Sequence, residues 1–234
     1  MHVPFSFLFL CLLAGCTIRD KATEPVAAPN PYRPFYDQID EAALIVKEGD
    51  LVLRNGQEFS SQIIKNFNRT DKSYSHAGLV FFKNGYPYVY HIVPGDENPD
   101  QKLRSDSLKN FCNPRKNFGF AVYRYAIDSS ERRSLKENIY NWYAKGVSFD
   151  SAFNLKTDDR MYCSEMIKKG LANATRNRIT IGTTPTTKTE AQFFSTHLRL
   201  PLTYTTGLHV VALDNLFLHP ACKAVKRFEF NAQQ

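Results

Sequence analysis

Apolar residues along the chain follow two spacings, one typical of helices and one typical of strands. Phe59, Ile63, Ile64 and Phe67 lie three or four positions apart, as on one face of a helix. The segments predicted to be helical are 36–46, 59–67, 130–143 and 162–172. Short apolar runs predict strands or extended segments at 51–54, 77–82, 88–93, 118–125 and 208–213. Strands followed by helices favour an α+β fold with a small antiparallel sheet. In the helix 130–143, Ser130 is the expected N-cap.

The two apolar runs on either side of Asn84-Gly85 predict a β-hairpin. Asn-Gly between such runs is a strong sequence signal for a two-residue hairpin turn. If these two residues form the turn, Lys83 pairs with Tyr86. The register of the hairpin then follows by counting along both strands.

This register places two histidines on one face of the sheet. Counting back from the turn pairs Gly78 with His91, and His76 lies two positions from Gly78. Because side chains alternate between the faces of a strand, His76 and His91 share a face. Diagonal neighbours of this kind are about 7–8 Å apart, within reach of long side chains. A slip of one residue would separate them.

Cys163 opens the predicted helix 162–172, whose apolar stripe is Met166, Ile167 and Leu171. The unpaired N–H groups at a helix N-terminus favour a thiolate, so we expect the pKa of Cys163 to be lowered. The same N–H groups can receive an oxyanion. Tyr162 is a candidate to shape the substrate pocket or to donate a hydrogen bond.

These residues together suggest a cysteine nucleophile. In this interpretation Cys163 attacks an acyl carbon, His76 is general base and then acid, and His91 holds the His76 ring in the useful tautomer. Other interpretations remain open. A cysteine at a helix start is often a small buried hydrophobe, and a histidine on a strand is often structural. Two histidines and a cysteine could also bind zinc, but the usual ligand spacings are absent, so we predict no metal and no cofactor.

The remaining polar candidates receive structural interpretations. Glu165 is expected to interact with the dipole of its own helix from the first turn. The other histidines considered lack a comparable setting and are interpreted as structural: His197, His209 and His219.

The N-terminus has the pattern of an export signal. An apolar run at 5–13 is too short to span a bilayer and precedes Leu13-Ala14-Gly15-Cys16, which resembles a bacterial lipobox. This predicts a signal peptide at 1–15, lipidation of Cys16, a tether at 16–34 and one domain at 35–234. The residue after Cys16 is Thr17 rather than Asp, and in this respect the segment resembles lipoprotein signals that permit outer-membrane sorting. An ordinary signal peptide or N-terminal anchor with an incidental cysteine is the alternative.

Composition limits the partners. The net charge is +7, which suits a surface near anionic lipid or glycan. Nucleic acid is a poor candidate because the basic residues are scattered and the chain is predicted to be exported. After Cys11 and Cys16, three cysteines remain, so at least one thiol is free. Cys112 and Cys222 could form a disulfide.

Four ordered motifs and a late segment resemble one enzyme family. The motifs are Gly49-Asp50-Leu51-Val52, Ser75-His76-Ala77-Gly78-Leu79-Val80, Tyr90-His91-Ile92-Val93-Pro94-Gly95 and Tyr162-Cys163-Ser164-Glu165, with Leu213-Asp214-Asn215-Leu216 and His219-Pro220 near the C-terminus. In this order they resemble the circularly permuted NlpC-type papain-like enzymes, which are relatives of lecithin:retinol acyltransferase. The resemblance implies a permuted papain-like fold, in which a small antiparallel barrel-like sheet packs on the helix that carries the cysteine.

The resemblance also implies acyl chemistry. We expect a lipid-anchored cysteine hydrolase or acyltransferase of the bacterial cell envelope, attached to the outer membrane and facing the periplasm. The expected substrates are peptidoglycan peptides or acyl-lipids. Exposed aromatic side chains on the hairpin, Tyr86, Tyr88 and Tyr90, would suit such a location. The alternatives are a catalytically silent lipid- or glycan-binding lipoprotein of the same fold, and a structural lipoprotein with Cys163 in a disulfide.

Overall fold

The computed structural model describes residues 30–95 and 98–230, which form a mixed α+β domain. The predicted signal peptide and Cys16 lie outside these residues. The helices are α1 (Arg33–Ile45), α2 (Phe59–Lys65), α3 (Leu108–Phe111), α4 (Ser129–Lys145), α5 (Cys163–Ala174), α6 (Lys188–Leu198), α7 (Leu202–Thr205) and α8 (Leu213–Phe217). The strands are β1 (Leu51–Gly56), β2 (His76–Lys83), β3 (Tyr86–His91), β4 (Arg104–Ser107), β5 (Asn117–Tyr125), β6 (Ser148–Phe149), β7 (Arg160–Met161), β8 (Thr184–Pro185), β9 (His209–Val210) and β10 (Cys222–Glu229). Within this described part, no helix is both long enough and apolar enough to cross a membrane.

Six strands form one antiparallel sheet in the order β10-β5-β1-β2-β3-β4. The first and last strands of this order do not pair with each other over the described residues. The sheet is therefore open and larger than the small barrel-like sheet expected from the sequence. Two-stranded pairs β6-β7 and β8-β9 lie outside it.

The predicted hairpin is confirmed. Lys83 pairs with Tyr86, and the register continues to Leu79 opposite Tyr90. Asn84 and Gly85 both have positive φ, at 52° and 80°, as a tight hairpin turn of this type requires.

Apolar side chains cover both faces of the sheet. Leu51 and Leu53 of β1 belong to one cluster, which includes Ile167 of α5. Val52, which points to the opposite face, belongs to a second cluster with Phe111 of α3. A sheet covered on both sides accounts for the nearly continuous apolar runs in its central strands.

Several local expectations were wrong or incomplete. The N-cap of α4 is Asp128 rather than Ser130, because its carboxylate accepts the N–H groups of Ser130 and Glu131. The segment 208–213 forms only the two-residue strand β9 before α8 begins. Tyr86 is exposed, but Tyr90 is buried against the helical layer. Strand β4 was not predicted, since Arg104–Ser107 is polar throughout.

Candidate active site

A cavity of about 400 Å³ opens at the end of β1 and β2 and contains three of the chemically important side chains. Cys163, His76 and Arg54 all line it. Much of the remaining wall is apolar, and those side chains are Ile64, Phe67, Ile92, Val93, Pro94, Phe149, Phe153, Phe194, Val210, Val211, Ala212 and Leu213. The site therefore combines a small polar centre with room for an apolar group.

His76 is held at the first position of β2 by the loop that precedes it. The Asn68 amide donates to the carbonyl of Tyr74 at 3.0 Å. The buried Asp214 carboxylate accepts the backbone N–H groups of Arg69 and of the next residue, both at 2.7 Å. Asp214 belongs to the C-terminal motif noted in the sequence. That segment thus fixes the entry to the histidine strand.

The two histidines form a hydrogen-bonded chain that ends at a carboxylate. His76 Nε2 lies 2.9 Å from His91 Nδ1, and His91 Nε2 lies 3.0 Å from Asp106 Oδ2. Arg104 donates to the other Asp106 oxygen at 2.7 Å. The predicted shared face is therefore confirmed, and the chain extends one residue beyond the prediction.

The hydrogen bonds from Asp106 through His91 to His76 determine the tautomers of both imidazole rings. A carboxylate at Asp106 accepts from His91 Nε2–H, which leaves His91 Nδ1 as an acceptor. His91 Nδ1 then accepts from His76 Nε2–H. The lone pair of His76 Nδ1 is left available, and Nδ1 makes no hydrogen bond within the described part of the chain. His76 Nδ1 is thus able to accept a proton.

Burial keeps both imidazoles neutral. It lowers the pKa of His76 well below the ordinary value, and the nearby charges of Arg54 and His91 act in the same direction. Burial also lowers the pKa of His91, although the hydrogen bond to Asp106 opposes this shift. The pKa of Asp106 is lowered: burial raises it, but the hydrogen bonds from His91 and Arg104 outweigh that effect.

Cys163 begins helix α5, as predicted, but the expected lowering of its pKa was wrong. Burial raises the pKa to about 11. The backbone N–H groups of Ala77, Ser164 and Cys163 itself lower it, as does the charge of Arg54, but they do not outweigh burial. No hydrogen bond joins the thiol to His76 in the residues the structure covers. The resting site therefore holds a thiol and a neutral imidazole.

Tyr162 and Ser164 anchor the segment that forms one wall of the cavity. The Tyr162 hydroxyl accepts the N–H of Val211 at 2.8 Å, and the Ser164 hydroxyl donates to the carbonyl of Val211 at 2.6 Å. Tyr162 is buried, and burial raises its pKa. Its hydroxyl thus accepts a hydrogen bond from the wall, and its side chain lines the cavity, as the sequence suggested.

Two polar residues of the site were missed from the sequence. Asp106 lies on a short polar strand whose pairing with β3 brings it to His91. Arg54 lies directly opposite His76 across β1 and β2. Only the alternation of faces along β1 could have indicated that Arg54, two positions from Val52, points to the same side as the histidines.

The other candidate residues lie elsewhere or have structural contacts. Burial raises the pKa of Glu165 to about 7, and its carboxylate is paired with Lys169 at 2.9 Å. His197, His209 and His219 do not line the cavity. All three cysteines in the described residues are free, which contradicts both the possible Cys112–Cys222 disulfide and the alternative in which Cys163 is in a disulfide. Across 30–95 and 98–230, no group of three or more His, Cys, Asp and Glu side chains is arranged to hold a metal ion.

The chain has relatives in Escherichia coli. It is 25% identical over 133 residues to the uncharacterized protein YiiX of strain K12, covering 56% of this chain and 60% of that protein. The crystal structure of metalloprotein yiiX from Escherichia coli O157:H7 superposes with a TM-score of 0.61 at 19% identity, covering 77% of this chain and 97% of the other. That likeness shows a shared fold.

The family assignment comes from the sequence match over most of the domain. Residues 45–225 match the family described as "Permuted papain-like amidase enzyme, YaeF/YiiX, C92 family". The match includes all the motifs that suggested a permuted papain-like arrangement, from Gly49 to His219. The chain therefore belongs to the C92 family of permuted papain-like amidases.

Proposed function

We propose that this protein is a cysteine amidase in which Cys163 is the nucleophile, His76 the general base and acid, and His91 and Asp106 orient His76. The observation that carries the proposal is the hydrogen-bonded chain from Asp106 through His91 to His76, beside a cavity that also contains Cys163. This chain leaves the Nδ1 lone pair of His76 unused. A structural histidine pair would have no need of a directed lone pair at a cavity wall.

The reaction begins with a neutral thiol. His76 Nδ1 takes the proton as the Cys163 sulfur bonds to the carbonyl carbon, and the N–H groups around the sulfur receive the oxyanion. The C–N bond then breaks, and His76 returns the proton to the leaving amine. Water, deprotonated by His76, hydrolyses the thioester and restores the thiol. A second amine or alcohol in place of water would make the enzyme an acyltransferase.

The apolar wall favours a substrate with an apolar group next to the scissile bond. A peptide amide with an apolar side chain and a fatty acyl amide both meet this requirement. We propose that the enzyme works in the bacterial cell envelope, held by lipid on Cys16 and facing the periplasm, on cell-wall peptides or acyl-lipids. Metabolic labelling with a palmitate analogue, compared between wild type and Cys16→Ala, tests the anchor.

The decisive experiment is capture of the acyl-enzyme. Incubation with envelope extract followed by intact mass measurement should give an adduct on Cys163, and its mass identifies the acyl group. Cys163→Ala and His76→Ala should each remove nearly all activity, and the double variant should be little worse, because the two residues act as a unit. His209→Ala, outside the cavity, is the matched control. Activity that survives in Cys163→Ala would exclude the proposed nucleophile.

A silent binding protein of the same fold is the second candidate. It is favoured by the raised pKa of Cys163 and by the lack of a bond between the thiol and His76 in the described structure. In that case lipid or glycan would bind wild type and Cys163→Ala equally, and no adduct would form on Cys163 with any envelope fraction.

A further inference from the structure

Arg54 is a buried cation without a partner. The residue is 6% exposed and lines the cavity. Its Nε is buried and has no hydrogen-bond partner, and no ion pair or side-chain hydrogen bond reaches the guanidinium from the described residues. Its Cζ lies 5.3 Å from the centre of the Phe111 ring, a cation–π contact that supplies no negative charge. A guanidinium stays charged at physiological pH, so this charge cannot be relieved by loss of a proton.

The nearby carboxylates have other partners. Asp106 is bonded to His91 and Arg104. Glu58, the acidic residue of the cavity lining, is exposed and accepts from the Ser61 hydroxyl at 3.0 Å. Since a buried charge is costly unless it is paired, the open fork of Arg54 is suited to an anion that arrives with the ligand.

We propose that Arg54 binds the carboxylate of the amino acid that leaves in the reaction. This rests on the proposed function. The substrate class is then an N-acyl amino acid, or a peptide cleaved at its last amide bond. The acyl part occupies the apolar cavity, and the carboxylate of the departing residue pairs with the guanidinium.

Two observations favour this assignment over other anions and positions. Arg54 offers one positive charge in a largely apolar cavity, which a carboxylate neutralises, whereas a dianionic phosphate would leave excess buried charge. Arg54 is also the direct cross-strand neighbour of His76, the residue that protonates the leaving amine. Directly opposed residues on antiparallel strands are about 4.5–5.5 Å apart at Cα, so Arg54 lies on the leaving-group side.

The test compares acids with their amides. The substrates are N-decanoyl-alanine and N-decanoyl-alaninamide, with N-acetyl-leucyl-alanine and its amide as the peptide counterpart. Wild type should prefer each acid in kcat/KM by about 10- to 100-fold, the range for hydrogen bonds to a charged group. Arg54→Met should bring this ratio near one, because it lowers kcat/KM on the acids more than on the amides. Arg54→Lys should give an acid-to-amide ratio between those of wild type and Arg54→Met. Lys65→Gln, which removes a charge outside the cavity, should match wild type.

The outcomes separate the subsite from the chemistry. Equal losses on acid and amide in Arg54→Met would show that Arg54 acts only through Cys163, and would overturn the proposal. If no substrate is turned over, calorimetry with Cys163→Ala decides. Acids that bind more than 10-fold more tightly than amides, with the difference lost in Cys163→Ala/Arg54→Met, support the subsite even though the amidase proposal fails. If Arg54→Met does not fold, an acid-to-amide ratio near one in wild type overturns the subsite by itself.

Discussion

The reactivity of Cys163 towards a small alkylating reagent is the sharpest test of the resting site. Burial raises its pKa to about 11. Against an ordinary thiol of pKa about 8.5, this reduces the thiolate fraction at pH 7.5 about 300-fold. A more basic thiolate is intrinsically more nucleophilic, with a Brønsted coefficient of about 0.4–0.5, which recovers about 10-fold. Iodoacetamide should therefore label Cys163 roughly 20- to 30-fold more slowly than a free cysteine peptide at this pH.

The assay is a pH series of labelling rates with the modified residue identified by peptide mapping. The rate should rise about tenfold per pH unit above pH 7.5, because each unit deprotonates ten times more thiol. Cys112 is fully buried and should stay unlabelled, which provides an internal control. His76→Ala should change the rate little, since the neutral imidazole does not hold the resting thiolate.

Labelling faster than the free peptide at neutral pH, with an inflection below about pH 8, would refute this reasoning. It would show that Cys163 and His76 form an ion pair at rest. A marked slowing of the reaction by His76→Ala would indicate the same. Either result would mean that the N–H groups at the helix start lower the pKa of Cys163 by more than burial raises it.

Three further predictions concern the residues around Cys163. Asp106→Asn should lower kcat/KM about 30-fold, because a carboxylate about 8 Å from the His76 imidazolium contributes about 2 kcal/mol at an effective dielectric constant of 20. Unfolding free energy, measured by urea titration, should fall as pH drops below about 6.5, by about 1.4 kcal/mol per unit for each histidine, because His76 and His91 take up protons when unfolded but stay neutral when folded. Tyr162→Phe should lower stability by about 1–3 kcal/mol, since it removes the acceptor of the buried Val211 N–H.

Each of these has a matched control. Asp100→Asn removes an exposed carboxylate and should leave kcat/KM unchanged. His197→Gln, at an exposed histidine outside the cavity, is the control for substitutions of His76 and His91 in the urea titrations. Tyr86→Phe, at a side chain that is 71% exposed, should not alter the unfolding free energy. An equal effect in any control would show that the cause is not the contact described.

The hairpin and the start of the cysteine helix were predictable because their determinants are local. Asn84-Gly85 adopts positive φ at both positions, so the turn fixes the pairing of Lys83 with Tyr86. Alternation along the strands then puts His76 and His91 together. These steps need only neighbouring residues and the geometry of a strand.

The contact between Asp106 and His91 was not predictable in this way. Asp106 reaches His91 because β4, a polar segment without a strand pattern, pairs with β3. The N-cap was predicted at Ser130 but lies at Asp128, two residues earlier, because the Asp128 carboxylate accepts the first N–H groups of the helix.

The sequence by itself determined the α+β class, the hairpin register, the shared face of the two histidines and the position of Cys163 at a helix start. The tertiary structure alone decided the charge state of these groups. Burial is a property of the packed chain, and here it keeps the Cys163 thiol protonated and His76 neutral against the local effect of the helix terminus. The tertiary structure also leaves Arg54 buried without an anionic partner. Among the described residues, the pairing of β1 with β2 brings no carboxylate to its guanidinium.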